Sequence, residues 1–169
     1  GDRLALASSG RTKRLLIVTF PAGELLHTFP LPEDPHALAF AEDCVAIGVG
    51  FGDKATFAPR GSALLIVDAK SGTLRGSTGF AAGIPAALVL EPQGDELLVG
   101  LTSGAVTRVD FSARILETLP PLVPGEGMAQ QTFPDGARTL VFSSAGDTLW
   151  AALNGIRGAC SVVTLSWRD

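Results

Sequence analysis

Few residues of this chain have types and spacing suited to covalent or metal chemistry. His27 and His36 lack the His-x-x-x-His or Cys-x-x-Cys company and the nearby paired carboxylates of a zinc or hydrolytic site. The two cysteines, Cys44 and Cys160, lie in different parts of the chain, too few for a disulfide framework or a thiolate cluster. They read as small buried hydrophobes, and this sparse use leans toward a reducing compartment. Gly48-Val49-Gly50-Phe51-Gly52 looks like a phosphate-cradling loop, but such loops join a strand to a helix whose amides face the anion. Here the run reads as a strand ending in a turn. No Gly-x-Ser-x-Gly elbow is present. The aspartates Asp95 and Asp147 each follow a glycine and open a strand, so their carboxylates suit side-chain-to-backbone hydrogen bonds in turns better than catalysis or calcium. Asp43 reads the same way, as do Asp68 and Asp110 at the ends of strands. The expectation is of no catalytic group, cofactor or metal.

The elements that must hold these residues are strands. An aspartate followed by an alternating apolar run occurs at Asp2, Asp43, Asp95 and Asp147. The apolar sets are Leu4/Leu6, Val45/Ile47/Val49, Leu97/Val99/Leu101 and Leu149/Ala151/Leu153, at the period of two that marks a strand. The intervening residues (Ala46, Gly48, Leu98, Gly100, Trp150 and Ala152 among them) are apolar too, mostly small, so both faces of these strands are expected to be covered. A further strand follows in each unit, aligned on Val18, Val67, Val109 and Val163, and a leucine lies seven residues on at Leu25, Leu74 and Leu116. Turn residues such as Pro21-Ala22-Gly23 and Lys70-Ser71-Gly72 separate them, as a hairpin requires. Strands over 37–40, 86–90 and 139–142 precede the later aspartates, with His36 in the loop before the first.

With the strands of a unit labelled A to D, the chain reads B-C-D, A-B-C-D, A-B-C-D, A-B-C. Units that recur at this period stack on their neighbours because none buries its apolar face alone. The architecture expected is all-β, with β-propeller blades of four antiparallel strands and about three and a half blades visible. The blades fall near 1–31, 36–80, 85–122 and 138–169 within a single domain over 1–169. A two-sheet sandwich also spaces short strands regularly, but the constant seven-residue offset from C to D favours blades. A first unit without A and a last without D leave open strand edges, so the chain is expected to be a segment of a larger propeller, with strand exchange between copies as the alternative.

Val67-Asp68-Ala69-Lys70-Ser71-Gly72-Thr73-Leu74 resembles the C–D junction of WD-repeat propellers, with Val67 where tryptophan is usual. LAFAED, LVLEPQGDELLVG and LVFSSAGDTLWAA resemble the A–B hairpin of those repeats, and the same pieces are similar to YVTN- and quinoprotein-type propellers. The resemblance spans nearly the whole chain through loose motifs. The Gly-His pair before strand A is absent, and the Trp-Asp pair is reduced to Val67-Asp68 and Val109-Asp110 and replaced by Val18-Thr19 and Val163-Thr164. The buried hydrogen-bond network of that family is therefore not carried over.

Two connections are longer than their counterparts, 52–62 between B and C and 120–137 between D and A. Strand direction alternates, so B–C and D–A connections, including 154–159, emerge on one face. That face would carry Lys54, Phe57, Arg60, Glu126, Met128, Phe133 and Arg157, of which the aromatic, Met and Arg side chains are types enriched in interface cores. The alternative is that these residues fold back onto the blades. The expected function is a non-catalytic scaffold for a protein partner or a neighbouring propeller segment. A lactonase-like or quinone-dependent propeller enzyme with an axial site, and a structural subunit of a large assembly, are the competing readings. A net charge of −4 over 169 residues, with no basic run longer than the one around Arg11, Lys13 and Arg14, argues against a nucleic-acid surface. No apolar stretch reaches the about 18 residues of a membrane helix, so no membrane insertion is expected.

Overall fold

The structure, a computed structural model, describes residues 2–41, 43–52, 59–81, 83–92, 96–119, 137–143, 145–154 and 160–166. Its strands are β1 (Arg3–Ser8), β2 (Arg14–Thr19), β3 (Leu25–Pro30), β4 (Pro35–Ala41), β5 (Cys44–Gly52), β6 (Pro59–Asp68), β7 (Leu74–Gly79), β8 (Pro85–Leu90), β9 (Glu96–Leu101), β10 (Val106–Asp110), β11 (Ile115–Leu119), β12 (Ala137–Phe142), β13 (Thr148–Asn154) and β14 (Cys160–Ser166). They form four antiparallel sheets in chain order: β1-β2-β3, β4-β5-β6-β7, β8-β9-β10-β11 and β12-β13-β14. No helix occurs among the described residues. The fold is all-β, and its sheets are propeller blades whose strands carry the B-C-D, A-B-C-D, A-B-C-D, A-B-C phase.

The sheets stack because alternation gives each two apolar faces. Val45, Ile47, Val49, Leu65 and Val67 of the second sheet pack on Ala5, Leu15 and Ile17 of the first. The other face of the second sheet, with Ala46, Leu64 and Ile66, packs on Leu97, Val99 and Val109 of the third. Leu98 and Val106 of the third then meet Leu140, Leu149 and Ala151 of the fourth. Every sheet therefore has a leading face, turned toward the preceding sheet, and a trailing face, turned toward the next. Neighbouring sheets approach most closely at their inner strands: β4 runs beside β8, and β8 beside β12. Glycine permits this approach. A Cβ on Gly48 would lie 2.5 Å from the Pro85 carbonyl oxygen and 2.6 Å from the Pro85 Cβ, at the start of β8.

Three expectations are corrected. His36 is not in a loop: β4 begins at Pro35, and the His36 Nε2 lies 2.9 Å from the Gly50 carbonyl oxygen of the neighbouring strand. The B–C connection is shorter than 52–62, since β6 starts at Pro59 and pairs it with Gly52. The C–D offset is not constant. Val18 pairs with Leu25 and Val67 with Leu74, but Val109 pairs with Ile115 rather than Leu116. The β10–β11 turn is one residue tighter, its Ala113 N–H bonding the Asp110 carbonyl, and Ala113 takes a left-handed φ of 66°. The expected cover on both faces holds for the second and third sheets but not for the outer faces of the first and fourth. There Leu4 is 44% and Trp150 43% exposed.

Two substitutions separate the packing terms. Leu97→Ala, at a fully buried site, should cost about 2–5 kcal/mol in urea unfolding by leaving a cavity between the second and third sheets. Gly48→Ala should cost about 1–3 kcal/mol by forcing β5 from β8. An unaltered urea midpoint for Gly48→Ala would refute the close-approach role.

Candidate interaction face

Strand direction divides the connections between two faces. One face carries the A–B and C–D turns, where the aspartates sit. Asp68 ends β6, and its Oδ1 accepts from the Lys70 and Ser71 N–H groups at 2.9 and 2.8 Å and from the Ser71 hydroxyl at 3.0 Å. Its Oδ2 accepts from Arg75 Nε at 2.9 Å and Nη2 at 2.5 Å. The same guanidinium grips Asp43 in a fork, Nη1 to Oδ1 at 3.2 Å and Nη2 to Oδ2 at 2.7 Å, tying together the ends of β5, β6 and β7. Asp110 repeats the device within its own turn, accepting from Ser112 N–H at 2.9 Å, Ser112 Oγ at 2.6 Å and Arg114 N–H at 3.0 Å, with Arg114 Nε at 3.1 Å from Oδ2. Asp147 accepts from Ser143 Oγ at 2.6 Å. In the first sheet Thr19 takes the aspartate's place, its Oγ1 accepting from the Glu24 N–H at 3.0 Å. Asp95 lies outside the described residues.

These partners hold the carboxylates ionised. The Arg75 guanidinium keeps Asp68 far below the ordinary carboxylate range, helped by the Ser71 N–H, and it lowers Asp43 as well. The Ser112 hydroxyl leads the lowering of Asp110 to about 2. Arg75, which the turn motifs do not single out, is the centre of this cluster. The signal for it is an arginine just after the turn that an aspartate opens, as in Arg114 after Asp110.

Both histidines serve the backbone. His27 Nε2 lies 2.7 Å from the Lys70 carbonyl oxygen of the next sheet, and His36 Nε2 meets the Gly50 carbonyl. A carbonyl only accepts, so both rings carry their proton on Nε2. The Cys44 thiol is buried between the second and third sheets, and desolvation pushes its pKa up to about 11. The run 48–52 is strand, paired to β4 and β6. Among the described residues no group of three or more His, Cys, Asp or Glu is placed to hold a metal ion.

The opposite face carries the B–C and D–A connections, which bond to one another. Asp34, between β3 and β4, accepts from the Gly10 N–H at 3.3 Å through its carboxylate and from the Gly50 N–H at 3.0 Å through its carbonyl. Between β7 and β8, the Ile84 carbonyl accepts from Thr102 N–H at 2.9 Å, and the Ile84 N–H donates to Thr102 Oγ1 at 2.9 Å. Ser62 Oγ donates to the Gly83 carbonyl. Lys13 reaches Glu33 at 2.9 Å and Asp34 at 3.9 Å. This network reaches β5 and β6, from whose ends the connection 53–58 departs, and the connections 120–136 and 155–159 depart from strand ends of the same face. Phe51 stands 49% exposed at one of these ends, opposite Arg60, and was not among the residues singled out from the sequence. Of those residues, Arg60 falls within β6, whereas Lys54, Phe57, Glu126, Met128, Phe133 and Arg157 lie outside the described residues.

No protein-family model matches this sequence, and no curated protein matches it. Solved structures do match in fold. Hydrazine synthase of Kuenenia stuttgartiensis superposes with a TM-score of 0.75 at 15% identity, over 98% of this chain and 43% of the other. Sqt1 of Chaetomium thermophilum, solved bound to the N-terminus of the ribosomal protein L10, gives 0.67 at 17% identity, over 91% and 42%. The computationally designed Ika4 protein gives 0.61 at 14% identity, over 98% and 87%. The chain spans less than half the length of the first two. At such identities the likeness is one of fold, a propeller-like array of blades.

The turn carboxylates set an acid limit on stability. Their folded pKa values lie below the ordinary value of about 4, so their contribution is complete above it and fades as the pH falls, for Asp110 through about 2. The melting temperature should therefore drop steeply between about pH 4 and 2. The double variant Asp68→Asn/Asp110→Asn should melt lower at neutral pH with a flatter acid slope in calorimetry. An acid slope equal to that of the parent would reject these groups as its source.

Proposed function

We propose that this chain is a non-catalytic protein-interaction scaffold of the WD-like kind, part of a larger propeller, which takes an extended segment of a partner on its B–C/D–A face. The observation that carries this reading is that the strand ends flanking 53–58, 120–136 and 155–159 lie on one face, with Phe51 exposed at one of them. The hydrogen bonds of Asp34, Thr102 and Ile84 make that face a rigid base, so a partner would meet a preorganised surface. On this reading Phe57, Met128, Phe133 and Arg157, with Lys54 and Arg60, would supply the contacts to the partner. Large apolar and arginine side chains are the usual hot spots of protein interfaces. On the opposite face the carboxylates are taken up by their own turns, which leaves less for a ligand to satisfy. Sqt1, similar in fold, is known bound to the N-terminus of another protein, and a terminal segment is the form of partner this reading expects.

Selection of a phage-displayed peptide library on the immobilised chain tests it. Enriched peptides should bind at least tenfold more weakly, about 1.4 kcal/mol, to the triple variant Phe57→Ala/Phe133→Ala/Arg157→Ala, with the melting temperature unchanged. Peptides that bind parent and variant alike would remove this face from the function.

A further inference from the structure

The three sheet junctions are not equally dry at their A–B/C–D end. Ile17 of β2 and Ile66 of β6 hold the same register position on the trailing faces of the first and second sheets, opposite Ala5 and Ala46, and are 1% and 0% exposed. The third sheet places Arg108 there, opposite Leu98. Its neighbours in the row differ as well. Glu96 stands where the second sheet has the buried Cys44, and Glu117 where the first and second sheets have His27 and Gly76. The guanidinium donates to Glu96 Oε2 from Nη2 at 2.7 Å and Nε at 2.9 Å, and to Glu117 Oε2 from Nη1 at 2.9 Å, all within one sheet. The side chains of Arg108, Glu96 and Glu117 keep 31%, 24% and 50% of their surface in water. The other two rows close on the next sheet. In the first, Arg3 Nη1 donates to the Ala69 carbonyl at 3.2 Å and His27 Nε2 to that of Lys70 at 2.7 Å. In the second, Gly76 admits the Ser112 carbonyl where any Cβ would collide with it. At the third junction the apolar contact with Leu140, Leu149 and Ala151 of the fourth sheet begins at Leu98 and Val106, one step in from the charged row.

We propose that the third/fourth junction is a built-in seam, at which the fourth sheet parts from the third in a local opening while the first and second junctions stay shut. A buried isoleucine favours closure through the apolar area it removes from water. A partly exposed ion pair contributes little, and closing a sheet tightly over it would desolvate its charges further. Glu96, Arg108 and Glu117 bond one another inside the third sheet, so parting the sheets breaks none of these three bonds. At the first junction, by contrast, parting would break the bonds of Arg3 and His27 as well as exposing Ile17. Elements that move while the rest of a fold stays intact are drawn from regions held in this weaker way.

Native-state hydrogen exchange of the full chain at rising, sub-denaturing urea reads such an opening strand by strand. The internal control is β2, whose sheet packs on one neighbour among the described sheets, as the fourth does, but through Ile17. Amides of β13 should exchange about tenfold faster than those of β2, through an opening that depends less on urea than the exchange of β5 and β6. The double variant Arg108→Ile/Glu96→Ala, which gives the third sheet an apolar row like that of the second, should slow β13 about tenfold and leave β2 unchanged. Exchange of β13 no faster than that of β2 in the parent chain would overturn the proposal, and this readout stands even if the variant fails to fold. Unchanged exchange of β13 in the folded variant would overturn it too. So would faster exchange there, which would make Arg108 a clamp on the fourth sheet.

Discussion

Two-sided burial governs this molecule. A strand of a blade such as β5 or β9 has no wet face: odd residues of β5 pack on the preceding sheet and even ones on the following sheet. Hydrophobic transfer at every junction is thus shared between sheets, and no sheet has a core of its own. The demand explains why the trailing side of β5 is built from small residues. Ala46, Gly48 and Gly50 leave room for Ile84 and Pro85, so that inner strands converge while outer strands diverge. The outer strands β3, β7 and β11 are the edges that result, and exposed residues dominate them.

At the ends of the blades, turn chemistry decides what each face can offer. Asp68 and Asp110 close their C–D turns by accepting from the turn backbone, Asp147 accepts from hydroxyls, and Arg75 binds three strand ends through Asp43 and Asp68. On the other face the connections are joined chiefly through backbone groups, as at Asp34, Gly50, Ile84 and Thr102. One face is tied by its own side chains, and the described part of the other chiefly by backbone groups. This asymmetry follows from alternating strand direction and needs no dedicated scaffold element.

The strand phase was legible from the sequence because the period of two and the repeated aspartate are local signals, each repeated often enough to correct one another. Turn length was less so. An offset of seven residues places Leu116 beside Leu25 and Leu74, but the shorter Asp110 turn, with Ala113 in a left-handed conformation, shifts the pairing to Ile115. His36 looked like a loop residue because it follows Pro35, yet a proline at the first position of an inner strand loses no ladder bond. Tertiary partners left no sequence mark at all: nothing near His27 announces the Lys70 carbonyl of the next sheet. Alternation in β1 and β13 revealed two apolar faces without revealing whether a neighbour covers each. The expected interaction face rests on connection length and strand direction, and most of its side chains lie outside the described residues.

The distinction between leading and trailing faces has an evolutionary corollary. Each junction joins the same two kinds of surface, so copying one four-strand unit in tandem would insert a new junction without altering the surfaces on either side. The closing turn travels with its unit, since Asp110, Ser112 and Arg114 satisfy one another inside a single hairpin. Growth by duplication is then nearly neutral for packing, and drift such as Thr19 for aspartate can accumulate unit by unit. What duplication cannot change is the polarity of the stack: every added unit must turn its leading face to its predecessor and its trailing face to its successor.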